Sequence, residues 1–307
     1  MTLRDQLKII QKLSGLTQTE LANRLGVTFA AFNRWINEKS IPRRKQLKAI
    51  DNLYKEYSGE KQIPKTALQA KKQFVLKIGL KHKNVIKEIL ENPDIQDQFY
   101  LSLTYNSNRI EGSTLSEGET AIILFQKTAL PNKSLIEQLE AKNHQTALIY
   151  LFKYLMEKKA LNENLILKLH GVLMNSIKSD AGIYRNHGVR ILGTHIPTAN
   201  YLKIPNLMEE LIKDINRKKN DAISHIANIH ARFEKIHPFS DGNGRIGRLL
   251  MHAMAIKANF APAVVLQEKK QLYAVYLNKA QTKDDQSLLE DFICDATLEG
   301  YRILERR

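Results

Sequence analysis

The 307-residue chain reads as an all-α protein, and three observations predict it. Apolar residues recur at three- and four-residue spacing on both sides of the stretch 237–248: Ile223, Ile226, Ile229, Phe233 and Ile236 before it, Ile246, Leu249, Leu250, Ala253 and Met254 after it. The first sixty residues break into short amphipathic runs separated by helix-capping and turn signals. Convincing β character is confined to Gly182-Ile183-Tyr184-Arg185 and Val189 to Pro197, where β-branched residues flank a Gly-rich bend.

In chain order, Leu3, Leu7, Ile10 and Leu13 mark a first helix, closed by Ser14-Gly15. Thr17-Gln18-Thr19-Glu20 is a capping box opening a second helix to about Leu25. Gly26-Val27 turns the chain, and Thr28 caps a third helix to about Asn37. Pro42 stops the chain, and Leu47, Ile50, Leu53 and Tyr54 complete a small core. Two short helices joined by a Gly-containing turn form a helix-turn-helix unit, whose second helix can enter a major groove. Trp35 is expected in the core.

Tyr57 to Pro64 has the composition of a linker, and residues 65–92 are Lys-rich with helical spacing (Leu76, Leu80, Val85, Ile89, Leu90). A helix from Asp94 to Ile110 ends at Gly112 and sets Ser107 and Glu111 on one face. Glu111, in the last turn, opposes the helix dipole by about 0.3–1 kcal/mol, which calls for a nearby cation. A helix beginning near Glu140, Asn143 and His144 has a structural apolar face (Leu148, Leu151, Phe152, Leu155), and His144 and His170 are read as packing residues. Leu272, Tyr273, Val275, Tyr276 and Ala280 precede a final helix, Leu288–Leu304.

Composition narrows the classes. A hydrophobic share of 43% with 26% charged residues is ordinary for a globular protein. The sequence has no apolar run long enough to span a membrane, its first residues are unlike a secretory signal, and a single cysteine, Cys294, allows no internal disulfide, so a cytoplasmic location is expected. The net charge of +15 is uneven: residues 1–90 hold 19 Lys and Arg against 7 Asp and Glu, which points to a polyanion partner for the front of the chain. No Walker-type loop, kinase signature or zinc spacing is present.

The chemistry is concentrated in His237-Pro238-Phe239-Ser240-Asp241-Gly242-Asn243-Gly244-Arg245-Ile246-Gly247-Arg248. Gly-Asn-Gly at a helix start turns free backbone N–H groups towards one point, which makes an anion seat. Arg245 and Arg248 add two guanidinium forks suited to phosphate. Asp241 offers the hard oxygen that Mg²⁺ prefers. His237 can accept a proton near neutral pH. Each feature alone has an ordinary explanation, as a helix stop, a turn or a solvated charge. Together they are the parts of phosphoryl or nucleotidyl transfer.

These residues resemble the Fic pattern His-x-Phe-x-Asp/Glu-Gly-Asn-Gly-Arg-x-x-Arg at every defined position. The resemblance implies a mostly helical domain that transfers AMP from ATP, with Mg²⁺, to a Ser, Thr or Tyr hydroxyl of a target protein. His237 would be the base and Asp241 the metal ligand. Gly242, Asn243 and Gly244 would line the phosphate cradle, and Arg245 and Arg248 would face the outer phosphates. Tyr273 and Tyr276 would lie on the nucleoside side, with ordinary core packing as an equal alternative. A β-hairpin flap at about Val189–Lys203, including Val189, Ile191, Thr194 and Ile196, would register the target chain; His195 there is expected to be solvent-exposed. Ser107-Asn108-Arg109-Ile110-Glu111-Gly112 fits the Fic inhibitory pattern Ser/Thr-x-x-x-Glu-Gly/Asn, which implies that Glu111 pairs with Arg248 and holds the chain inactive.

The front of the chain is similar to repressor-type helix-turn-helix domains, through Leu16-Thr17-Gln18-Thr19-Glu20-Leu21-Ala22, Leu25-Gly26-Val27, Phe32-Asn33-Arg34-Trp35 and Ile41-Pro42. That likeness implies phosphate contacts from Gln18 and Arg34, base-edge contacts from Thr28, Ala30, Ala31 and Asn33, and a homodimer; the bland alternative is a partner-holding bundle. Phe29-Ala30-Ala31-Phe32 offers few hydrogen-bond donors, so no operator sequence follows. The expected organisation is helix-turn-helix over 1–57, a connector over 58–93 and the Fic domain over 94–307, with the inhibitory helix at about 94–112. An intact Gly-Asn-Gly-Arg disfavours a kinase variant. UMP or phosphocholine transfer, removal of AMP, and a regulator whose Fic part senses nucleotide remain alternatives.

Overall fold

The computed structural model describes residues 1–126, 128–191, 196–283 and 285–306, and none of these lies in a β-strand. The front bundle comprises α1 (Leu3–Ser14), α2 (Gln18–Arg24), α3 (Phe29–Ile36) and α4 (Arg44–Tyr57). Both ends of its helices follow from local chemistry. The Thr17 hydroxyl accepts the Glu20 N–H while the Glu20 carboxylate accepts the Thr17 N–H, and Thr28 accepts the Ala31 N–H. Leu7, Ile10, Leu21, Phe32, Trp35 and Ile50 fill the centre.

Two helices, α5 (Lys65–Gly79) and α6 (Val85–Glu91), follow. Residues 65–91 are not a free tether. Lys71 pairs with Asp291 and Asp295, and Lys72 with Asp221 and Glu290, so α5 is fastened along the C-terminal helix.

Next come α7 (Pro93–Glu111), the short α8 (Glu117–Ala121) running into a π turn (Ile122–Gln126), α9 (Leu135–Met156), α10 (Glu163–Leu173), α11 (Ile204–Ile215), α12 (Ala222–Ile236), α13 (Asn243–Lys257), α14 (Lys270–Thr282) and α15 (Ser287–Leu304). The start of α7 is set by Asn92, whose side chain accepts two first-turn N–H groups, with Pro93 at the first helical position. Its end is set by Gly112, in the left-handed conformation at φ 110°.

At the centre, α12 and α13 form a hairpin, and α7, α9 and α10 pack against α13. Nearly every side chain of α13 is buried, as expected of a helix whose apolar residues run all round it. Among the described residues, no helix is long and apolar enough to cross a membrane.

The described part of the expected flap, Val189–Ile191 and Ile196–Lys203, is loop followed by a 3₁₀ turn at Tyr201–Lys203. Thr194 and His195 lie outside the described residues. Val189 and Ile191 are half-buried, but Ile196 is turned into the protein and is not available for docking a target. Side chains bond the described part of this segment. The Thr198 hydroxyl donates to the Val189 carbonyl, and Arg185 donates to the Ala199 carbonyl at 2.6 Å.

Candidate functional site

The loop between α12 and α13 carries the expected constellation. His237 ends α12 in the left-handed conformation, φ 52°, uncommon for a residue with a side chain. Its ring Nδ1 lies 3.2 Å from the Glu234 carbonyl. A carbonyl only accepts, so the ring hydrogen belongs on Nδ1 and the Nε2 lone pair is left free. Burial lowers the His237 pKa and outweighs the Glu234 carbonyl, which raises it, so the imidazole is neutral at pH 7.

The backbone at His237 is held by a residue that sequence reasoning placed only in a β signal. Arg185, nearly inaccessible, donates to the His237 carbonyl at 2.8 Å and also reaches the carbonyls of Ile236, His187 and Ala199. Phe239 is fully buried and stacks on His170, with ring centroids 3.7 Å apart. Asn243 closes the loop on itself: its side chain accepts the Phe239 N–H and donates to the Phe239 carbonyl. That amide braces the loop from within.

Gly242 has φ 74°, and α13 starts with no side-chain cap, leaving its first-turn N–H groups without intrahelical acceptors. A β-carbon on Gly244 would clash with Glu111 Oε1, which puts the end of α7 against this helix start. The Glu111 carboxylate, 37% exposed, is bound by Arg248 at 2.6 Å. Arg248 is 2% exposed and also donates to the Ser107 hydroxyl and carbonyl, at 2.9 and 3.1 Å. Ser107, Glu111 and Arg248 therefore meet as expected. Burial works to raise the Glu111 pKa, but Arg248 outweighs it and holds the carboxyl ionised.

The Arg245 guanidinium is buried against Glu140 at 2.6 Å and near Asp241 at 3.5 Å, and its charge also helps to lower the Glu111 pKa at the helix start. Asp241 also accepts the Gly242 N–H and lies 3.5 Å from Lys178. Burial raises its pKa, but Arg245, the Gly242 N–H and Lys178 together lower it. Among the described residues no cluster of three His, Cys, Asp or Glu could hold a metal. One ionised carboxylate suits Mg²⁺, which usually completes its shell from substrate phosphates and water.

Tyr273 and Tyr276 are 5% and 4% exposed, as core aromatics are. Tyr273 donates its hydroxyl hydrogen to His230 Nε2 at 2.5 Å, since His230 Nδ1 is turned to the Gly247 carbonyl, and its ring stacks on Phe292. Tyr276 sits edge-on to Phe292. Both rings are packed among core side chains, which favours the packing alternative. Glu234, buried with one oxygen lacking a partner, lies against Gly247. Burial pushes its pKa up to about 8. Its position was legible, since Glu234 follows His230 by four on the buried stripe of α12. Glu140 had no local signal, because only the fold brings α9 to Arg245.

In the front bundle, Gln18 Oε1 accepts from Asn33 Nδ2 at 3.2 Å, so the structure joins two of the expected DNA contacts. Thr28, Ala30 and Arg34 are exposed, and Ala31 and Asn33 half-buried. Trp35 is in the core, and burial pushes the Cys294 thiol up to about 12, so it is not a nucleophile.

Residues 160–255 match the model of the Fic/DOC family, and residues 7–60 match a helix-turn-helix model. Curated relatives include proteins named protein adenylyltransferase Fic from Nematostella vectensis, 32% identical over 197 residues, and Drosophila melanogaster, 29% identical over 202 residues. These alignments cover 60% and 64% of this chain but only 44% and 40% of the relatives. The fold is similar to that of a Fic domain containing signaling protein from Bacteroides thetaiotaomicron (TM-score 0.62, 23% identity, covering 72% of this chain and 98% of that one). It is also similar to Fic-1 from C. elegans (TM-score 0.66, 20% identity, covering 92% and 83%). The chain thus carries a Fic/DOC-family domain behind a helix-turn-helix domain.

Proposed function

We infer that the chain transfers AMP from ATP to a hydroxyl of a target protein and is restrained by its own Glu111. The observation that carries this reading is the Glu111–Arg248 bond at the uncapped start of α13, because it places a carboxylate where a phosphate would sit. In this reading the first-turn N–H groups of α13 hold the triphosphate, and Arg248 takes the outermost phosphate once Glu111 withdraws. His237 Nε2 accepts the proton of the target hydroxyl as its oxygen bonds to the α-phosphorus. The bond from that phosphorus to the bridging oxygen breaks, and pyrophosphate leaves. Mg²⁺, held by Asp241, would offset phosphate charge. With Glu111 on Arg248, ATP cannot take the aligned pose.

The N-terminal bundle is inferred to bind DNA, Gln18 and Arg34 at phosphates and α3 at base edges. A second reading, a regulator whose Fic part senses nucleotide, is favoured by the position of α14. Its Tyr273 touches the network around Arg248, while Val275 packs on Gly59 and Gln271 approaches Gly15, at the edge of the bundle. Labelled ATP separates the readings. Glu111→Gly should label itself or a lysate protein with AMP well above wild type; nucleotide binding without labelling would favour the sensor.

A further inference from the structure

The exposed face of α3 has an unusual chemistry for a surface meant to read bases. Phe29 is 50% exposed and Ala30 is exposed, with Ala31 half-buried beside them. The nearest polar groups are partly engaged. The Thr28 hydroxyl oxygen accepts the Ala31 N–H at 3.2 Å and keeps its own hydrogen. The Asn33 amide donates to Gln18 and accepts from Asn37, both at 3.2 Å. The first turn of α3 thus presents mostly carbon, beside the Thr28 hydroxyl.

The same bundle carries exposed cations, Arg34 on α3, Lys39 and Arg43 in the chain after it, and Arg44, Lys45 and Lys48 on α4, none with a carboxylate partner among the described residues. An apolar helix start on a cationic bundle fits a polyanion that carries an apolar group at reading depth. In the major groove of DNA that group is the 5-methyl of thymine, the base-edge feature that a side chain without donors or acceptors can recognise.

We propose that α3 selects DNA through thymine methyl groups contacted by Phe29 and Ala30, with the exposed cations of the bundle on the phosphates. This rests on the DNA-binding reading above and adds to it the feature recognised. Gln18, whose Nε2 is not used on Asn33, is the neighbouring group able to add a hydrogen bond.

The test uses the full chain and a duplex selected from a random pool, compared with the same duplex carrying deoxyuridine for thymine. The exchange removes the methyl and keeps every donor and acceptor. Loss of each contacted methyl should weaken binding about fourfold, on the scale of one buried methylene group. Phe29→Gln, at a half-exposed position that does not fill the core, should lose the share of the thymine-over-deoxyuridine preference that Phe29 supplies and keep that of Ala30. Equal binding of the two duplexes by the wild-type chain would overturn the proposal and leave DNA binding standing. Failure of any duplex to bind at low salt would overturn both, and would turn the patch into a docking site for an acidic protein.

Discussion

His237 illustrates how much of the site one hydrogen bond decides. Because Nδ1 is committed to the Glu234 carbonyl, the proposed base would act at Nε2, and because burial lowers its pKa, the ring is uncharged throughout the neutral range. Transfer by a released variant should therefore be flat near neutrality and fall only on acidification below the ordinary histidine range, when the imidazole protonates. His237→Ala should lower the rate by about 10²–10⁴-fold with nucleotide binding retained, measured by AMP incorporation and by direct titration. Glu234 gives an opposite signature. Its carboxyl titrates near 8 when folded against 4.5 ordinarily, so its contribution to stability is fully present below 4.5 and is lost as pH rises through 8. Glu234→Gln should remove that loss, and melting curves of the two proteins should diverge progressively from pH 5 to about 8. That His237, Asp241 and Arg248 gather at one helix start was legible, because each expected role fixes a residue type. The partners of Arg245 and Asn243 were not: the pattern names the two residues but not their bonds to Glu140 and Phe239.

At the scale of elements, caps and glycines carried the reading. Thr17–Glu20, Thr28, Asn92-Pro93 and Gly112 each place a helix end where the structure has it, since such boundaries are settled by bonds within four residues. The β signals at 182–185 and 189–197 rested on propensity; the described residues there are loop, bonded by Arg185 and Thr198. Arg185→Lys keeps the charge but cannot span four carbonyls, so it should cut the rate of a released variant about tenfold or more through misplacement of His237, while leaving ATP affinity nearly unchanged. A proportional loss of affinity would instead indicate general unfolding of the loop. Phe239→Ala, which empties a fully buried ring site, should destabilise the domain by about 3–5 kcal/mol in denaturant titration.

Across the whole molecule, the basic front and the near-neutral remainder were visible as a charge step, but their contact was not. The structure sets α1 and α4 against α14, and α14 also carries Tyr273 beside the Arg248 network, an arrangement that only packing reveals. The proposed brake likewise joins residues 137 positions apart, Glu111 and Arg248, and the likeness to a family pattern, not periodicity, named the pair. Hydrogen bonds to charged groups contribute about 1.5–3 kcal/mol, so freeing Arg248 should raise transfer roughly ten- to a hundredfold. The most direct measurement is the intact mass of Glu111→Gly and of Glu111→Gly with His237→Ala after incubation with Mg·ATP and a lysate. The account predicts an AMP-sized addition on the chain or a lysate protein with the first and none with the second. A phosphate-sized addition, or AMP addition no greater than in wild type, would contradict it.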